Sequence, residues 1–242
     1  MTYEIRAMAF GEILDTGFRL LRDHVGLLLG IGLAGTLPLN VGLWAIGNDP
    51  ATAQLASGVA FLLLALVAMP IVGAATIHAL AELYVGRSTS VGAALRAALA
   101  IVLPLLGTQL LASLAMLAGF VLLIVPGIYL VFAFMLLVPV VVVERVYAGR
   151  AMGRSRELMR GNFLRGFGLM IVVGLLYSVV AVALGLFALA SPLGGAIAQS
   201  VAQAIYAAFQ SAVMLVFYFD ARCRKEAFDL DHLAGVVEAR VA

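Results

Sequence analysis

Hydrophobic residues along this chain gather into long runs separated by short polar punctuation, and the period within each run separates helices that lie on a surface from helices that cross a bilayer. Over residues 4–23 the pattern is amphipathic. Phe10, Ile13, Leu14, Gly17 and Leu21 recur at helical spacing while Glu12, Asp15, Arg19 and Arg22 fall opposite. Charges of both signs predict that this helix lies at the interface instead of crossing it. Six apolar runs follow, at roughly 25–46, 54–84, 98–124, 127–147, 166–190 and 196–219. Each is long enough, at about 20 residues, to cross the hydrocarbon layer as a helix.

The punctuation predicts the connections. Asn48-Asp49-Pro50 turns the chain after the first run, Pro126-Gly127 joins the third and fourth as an antiparallel hairpin, and Ser191-Pro192-Leu193-Gly194-Gly195 joins the fifth and sixth. Between the fourth and fifth runs lies an arginine-rich amphipathic stretch, Arg145 to Arg165. On it Met152, Ser155, Met159 and Phe163 form the face expected to dip into lipid, with Arg150, Arg154 and Arg165 on the other side. Residues 220–242 read as a charged, partly helical tail. Pro38, Pro70, Pro104 and Pro139 fall inside the first four runs, where each removes a backbone hydrogen bond and bends its helix or frames a cavity.

Composition turns this pattern into a class. Of 242 residues, 64% are hydrophobic and only 12% charged, against about 45–50% apolar residues in soluble domains. The expected fold is therefore all-α, a single polytopic membrane domain of six transmembrane helices with amphipathic interfacial helices on the cytosolic side. A formal net charge of +2 gives no ground for a nucleic-acid partner. Cys223, the single cysteine, has no internal disulfide partner and reads as a reduced thiol. Glu4, Glu12 and Asp15 interrupt any apolar core of a signal peptide, so none is expected.

The placement of positive charge orients the chain. Arg6, Arg19 and Arg22 precede the first run, Arg87 and Arg96 lie between the second and third, six arginines from Arg145 to Arg165 lie between the fourth and fifth, and Arg222, Arg224, Lys225 and Arg240 follow the sixth. The three opposite turns hold none. The positive-inside rule then puts both termini in the cytosol. The returning runs each end in an acid and a tyrosine: Glu82 and Tyr84, Glu144 and Tyr147, Tyr218 and Asp220. Two readings of this recurrence stand, three repeated helical hairpins or ordinary residues of the membrane interface.

Candidate sites follow from the same physics. A lone carboxylate at the edge of hydrocarbon is costly, so Glu82, Glu144 and Asp220 are expected to pair within a cytosolic rim that holds Arg145, Arg150, Arg154 and Arg165. Arginines left unpaired there would attract anionic lipid headgroups. Gln199, Gln203, Tyr206 and Gln210 share one face of the sixth run and are expected to line a polar interior, because amides facing hydrocarbon leave donors and acceptors unmatched. His78 and Glu82 stand one helical turn apart, a spacing suited to metal ligands or a proton relay, but no further His-bearing run supplies a third ligand. With neither a phosphate loop nor a Ser-His-Asp set, no catalytic residue, metal or cofactor is assigned, and no enzymatic activity is expected.

The stretch VPGIYLVFAFMLLVPVVVVERVYAGRAMGRSRELMRGNFLRGF resembles the bacterial membrane-domain family named after glycerophosphoryl diester phosphodiesterases, through its PGIYL, P-V-V-V-E and R-S-x-x-L-x-x-G-x-x-x-R elements. The N-terminal GEILDTGFRLLRDH and C-terminal FYFDARCRKEAFDLD are similar to the ends of that family, so the resemblance covers most of the chain. The chain departs from it at Ala133 and Phe134, where the family often carries a basic residue. In composite members the hydrolase is a separate soluble barrel, and nothing in these residues resembles one. The resemblance therefore implies a helical membrane domain, an anchor or accessory in lipid or envelope metabolism. Two functional classes remain: a non-catalytic scaffold whose basic segments bind anionic lipid or a protein partner, and a transporter or lipid-handling protein with a polar cavity in the membrane. The topology has a direct test. A reporter fused at Asp49, Pro126 or Pro192 is expected to lie opposite the cytosol, and cytosolic reporter activity at any of the three sinks the assignment.

Overall fold

The computed structural model describes residues 6–46, 58–59, 62–186 and 191–226. Among these every regular element is helical. The Asn48-Asp49-Pro50 turn, the start of the second run, the end of the fifth and the tail beyond Glu226 lie outside the described residues.

Helix α1 spans Phe10–Asp23. The sequence pattern suggests an earlier start, but residues 6–9 are not helical. The start is fixed by Glu12, whose carboxylate accepts from the Ala9 N–H at 2.6 Å and from Arg6 at 2.8 Å, the glutamate half of a capping box. The Arg6 bond first, and then the Ala9 bond, holds the Glu12 carboxyl below its ordinary range. Helix α2, Val25–Ile46, follows directly.

Prolines explain where the spans depart from simple rods. A π-helical turn, Leu64–Ala68, precedes α3, Met69–Tyr84, and Pro70 sits in the first turn of α3, where its missing N–H leaves the ladder behind it irregular. The third span, expected over 98–124, is interrupted near its start: its first residues end α4, Val91–Ala100, which is capped by Ser90, and the rest forms α5, Val102–Leu122. The break at Ile101 falls just before Pro104, which lacks an N–H for the Ala100 carbonyl and crowds it with its ring.

The turn between the third and fourth spans is not at Pro126-Gly127. Leu123 is the extended residue (φ −163°, ψ 151°), and α6 already begins at Ile124 and runs to Ala133. Pro126 therefore lies in the first turn of a helix, where an N–H has no partner to lose. Gly127 brings the helices together, since a Cβ there would strike the Phe120 ring. Beyond Ala133 the fourth span loses regularity, with a turn at Phe134–Leu136, a single helical turn Leu137–Pro139, and a π-helix Val140–Glu144. Helices α7 (Ala148–Met159), α8 (Phe163–Gly185) and α9 (Pro192–Glu226) complete the order. The sixth span does not end at Phe219: α9 continues through Glu226, 35 residues in all, about 50 Å of helix.

Six stretches among the described residues are long and apolar enough to cross a membrane. Leucines and valines such as Leu103, Val121, Leu164 and Val179 project outward, an apolar surface too extensive for water. This is an all-α, multi-pass membrane protein. Its axis is α9: 72% of that span is buried within the protein, against 11% of α8, and α1, α2, α3, α7 and α8 all pack on it. The closest approach is to α2, where a Cβ on Gly32 would lie 2.7 Å from the Ala204 Cβ and 2.8 Å from its Cα. Because backbone cannot yield as a side chain does, Gly32→Ala is expected to destabilise the protein by about 1–3 kcal/mol. Gly26→Ala, on the same helix but with open space around it, is expected to leave the melting temperature unchanged; equal melting of the two variants would contradict the close α2–α9 contact.

Candidate functional site

The charged end of the bundle is built around Asp220, whose side chain is wholly buried. Its Oδ1 accepts from the Met8 N–H at 2.7 Å and from Arg224 Nε at 3.0 Å, and its Oδ2 accepts from Arg165 at 2.6 Å. Arg165 and Arg224 each turn a second nitrogen to the Met8 carbonyl, both at 2.7 Å. Both backbone polar groups of one residue and a buried carboxylate are thus satisfied together. This explains why residues 6–9 leave the helical path, since a helical Met8 would offer its N–H and C=O to its own chain.

Glu144 is the second anchor. It accepts from Arg154 Nε at 3.0 Å and from the Tyr218 hydroxyl at 2.8 Å. Arg154 also pairs with Glu226 and reaches Glu157 at 3.4 Å; Arg222 binds Glu226 at 2.9 Å and lies over the Tyr218 ring. Burial works against the charge on Arg154, and its hydrogen bonds to Glu144 and Glu226 outweigh it, so its proton is held beyond the ordinary arginine range. From Glu144 into α7 the chain reverses through two left-handed residues, Arg145 (φ 54°) and Ala148 (φ 52°), the second of which opens α7. Each costs about 1–2 kcal/mol for a side-chain-bearing residue. The Ala148 N–H donates to Thr108 Oγ1 at 2.8 Å, which pins the reversal to α5.

The acids that end the three returning spans therefore have unlike surroundings. Among the described residues Glu82 has one ion-pair partner, the exposed Arg87, at 3.5 Å. Of the candidate arginines, Arg154 and Arg165 join the two anchors, whereas Arg145 and Arg150 are exposed and have no ion pair among the described residues, as is true of Arg156 and Arg160.

The apolar side of α7 does not dip into lipid. Ala151, Ser155, Leu158 and Met159 are buried against the protein. Ser155 Oγ donates to the Ala133 carbonyl at 2.8 Å, one of the carbonyls that the end of α6 leaves without a helical partner. Amphipathicity marks a face that must be covered, and here protein covers it.

The amide stripe of the sixth span is split. Gln199 is exposed and lies outside any interior. Gln203 Oε1 accepts from Asn40 Nδ2 at 2.9 Å, beside Thr36 and Ser200, in a polar seam between α2 and α9. Tyr206 packs on Tyr177, ring centroids 4.5 Å apart, and Gln210 borders a cavity. Ala204 and Ala208, between these residues, are more deeply buried than they are. Small side chains let α2 come close, and the larger amides occupy the flanks of that contact. His78 Nδ1 is buried with no hydrogen-bond partner among the described residues, and no group of three metal-binding side chains occurs among them.

Sequence reasoning missed Met8, Arg224, Tyr218, Glu226 and Asn40. Asn40, the one strongly polar side chain in an apolar run, carried a signal. A backbone peptide such as that of Met8 carries none.

The fold and this charged end define a polytopic helical membrane protein with an ion-paired rim. Comparison with family models, with curated proteins and with solved structures finds no match for the chain. The rim makes a sharp prediction about stability. Asp220→Asn keeps the shape but leaves Arg165 and Arg224 without their anion, and is expected to cost about 3 kcal/mol, less than a fully buried pair because both arginines reach solvent. Thermal melting in detergent measures it, with Glu82→Gln expected to be nearly neutral; similar losses at both positions would refute the central place given to Asp220.

Proposed function

We propose that this protein is a non-catalytic scaffold or accessory of the bacterial inner membrane, whose arginine-bearing end faces the cytosol and engages anionic lipid headgroups. The observation that carries this reading is the division of labour among the arginines of the segment Arg145 to Arg165. Arg154 and Arg165 are consumed by Glu144 and Asp220. Arg145, Arg150, Arg156 and Arg160 remain exposed. On α7, Arg150 and Arg156 fall on the side away from Ala151, Ser155 and Leu158, and Arg160 is exposed just past the end of the helix, so a helix locked to the bundle by its apolar face presents cations outward. Cations near an anionic surface contribute about 1 kcal/mol each.

Two further supports are independent of that geometry. The resemblance to the membrane domain named after glycerophosphoryl diester phosphodiesterases implies an accessory role in lipid or envelope metabolism. The restriction of positive residues to one side of the six spans supports cytosolic termini. A lipid surface accounts for exposed arginines without requiring a catalytic group, and a protein partner that binds the same face would have to be acidic.

Purified protein is expected to melt at higher temperature when phosphatidylglycerol is added to the detergent, and not with phosphatidylcholine. Replacing Arg150, Arg156 and Arg160 together with Gln is expected to remove roughly 3 kcal/mol of this interaction, about a hundredfold in affinity. Added salt should weaken the wild-type effect. An identical response to both lipids, or a triple variant that responds as the wild type does, would refute the reading.

A further inference from the structure

The first half of α3 and the irregular part of the fourth span border a partly open cavity of about 220 Å³ inside the bundle. Gly73 of α3, Gln109 of α5, Pro139 of the fourth span, and Gln210, Ser211 and Met214 of α9 contribute to its wall. On α9 these residues lie roughly 10–15 Å along the helix from Asp220, and Gly73 lies a similar distance from Tyr84 at the end of α3. The cavity is therefore within the apolar length of both helices.

Its chemistry is specific in three respects. Every residue that lines it is uncharged. Gln109, Gln210 and Ser211 have no side-chain hydrogen bond among the described residues, although Ser211 is 6% exposed. Amides and a hydroxyl at this depth are costly unless something supplies both donors and acceptors. The rest of the wall is apolar, with flexible thioethers such as Met214 that fit chains of varied shape.

We propose that this cavity binds the uncharged, hydroxyl-bearing head of a neutral lipid, of the monoacylglycerol or long-chain alcohol class, with the hydrocarbon tail leaving through the open side. A hydroxyl both donates and accepts, which is what two amides and a serine need. A charged headgroup would meet no counter-charge. The volume is below the roughly 300–1,000 Å³ of pockets that enclose an entire drug-sized ligand, which suits a head whose tail stays in the bilayer. This site goes beyond the anionic-headgroup surface proposed above and shares no residue with it.

Gly73 permits a clean test, because a Cβ built on it meets nothing within 4 Å. Gly73→Leu therefore starts from open space and is expected to project into the cavity that Gly73 lines, and it replaces glycine with a better helix former. Gly107→Leu, on α5, also enters open space but does not line the cavity, and serves as the control. The full-length protein in detergent is exposed to a monoacylglycerol carrying a photoreactive group in its chain, and the labelled peptides are identified by mass spectrometry.

Labelling is expected on the α3 and α9 segments that flank the cavity. Unlabelled monoacylglycerol should compete, while phosphatidylglycerol and free glycerol should not. Gly73→Leu should abolish the competed labelling and Gly107→Leu should retain it. Gln210→Leu should raise the competitor concentration required by about fivefold to tenfold, the loss of one hydrogen bond. Melting temperature checks that each variant folds; if Gly73→Leu melts early, Gln210→Leu decides. Labelling at background level, equal competition by phosphatidylglycerol or glycerol, or labelling unchanged in folded Gly73→Leu and Gln210→Leu would each overturn the proposal, the first by leaving a cavity that holds only water.

Discussion

Burying a carboxylate in an apolar bundle is the constraint on which the rest of this structure depends. Asp220 has no exposed side-chain surface, and an unpaired charge so placed costs several kcal/mol. It is tolerated because donors arrive from three separate parts of the chain: Met8 before α1, Arg165 at the start of α8, and Arg224 one turn further along α9. Met8 and Asp220 are each held by both arginines, so the partners reinforce one another. The cluster therefore fixes the N-terminal segment and the entry of α8 against the end of the central helix. Glu144 does the same for the fourth span and α7, in a more exposed setting that tolerates a looser network.

Much of this fold is legible in the sequence because lipid imposes length and polarity on every span. Six runs, their order and the amphipathic character of α1 and α7 can be read from spacing alone. What spacing does not convey is the identity of the covering surface. Met152, Ser155 and Met159 look alike to a periodicity argument whether lipid or protein lies beneath them, and only the carbonyl that α6 leaves unpaired at Ala133 makes protein the partner. The glutamines of α9 show the same limit. A polar stripe signals that partners are required, but Gln203 finds Asn40 across a helix contact, Gln210 meets a cavity, and Gln199 lies at the surface.

Proline misled at Pro126, and again at Pro192, which opens α9 where the sequence predicts a turn through Gly195, for one reason. Pro126-Gly127 has the composition of a turn, yet both residues are compatible with a helix start, proline because its first-turn N–H is dispensable and glycine because it permits contact. The chain turns at Leu123, where nothing in the residue type marks it. At Pro104 and Pro70 the expected bend does occur, displaced toward the N-terminal side, where the missing hydrogen bond is felt.

The rigid end and the irregular middle of the bundle are coupled through α9. Between Asp220 and Gln210 this helix is buried almost without interruption, from Ser211 through Tyr218, so the ion pairs at its end fix the orientation of the polar groups farther in. Against that fixed wall the fourth span is wound unevenly, with a turn after Ala133 and a π-helix ending at Glu144. Backbone of this kind survives at membrane depth only where protein or a polar space borders it. Glu144 holds one end of the irregular segment, and Ser155 holds the carbonyl at the other. The two anchors thus stabilise a stretch that could not pack as a regular helix, and the space beside Pro139 follows from that geometry rather than from a defect in packing.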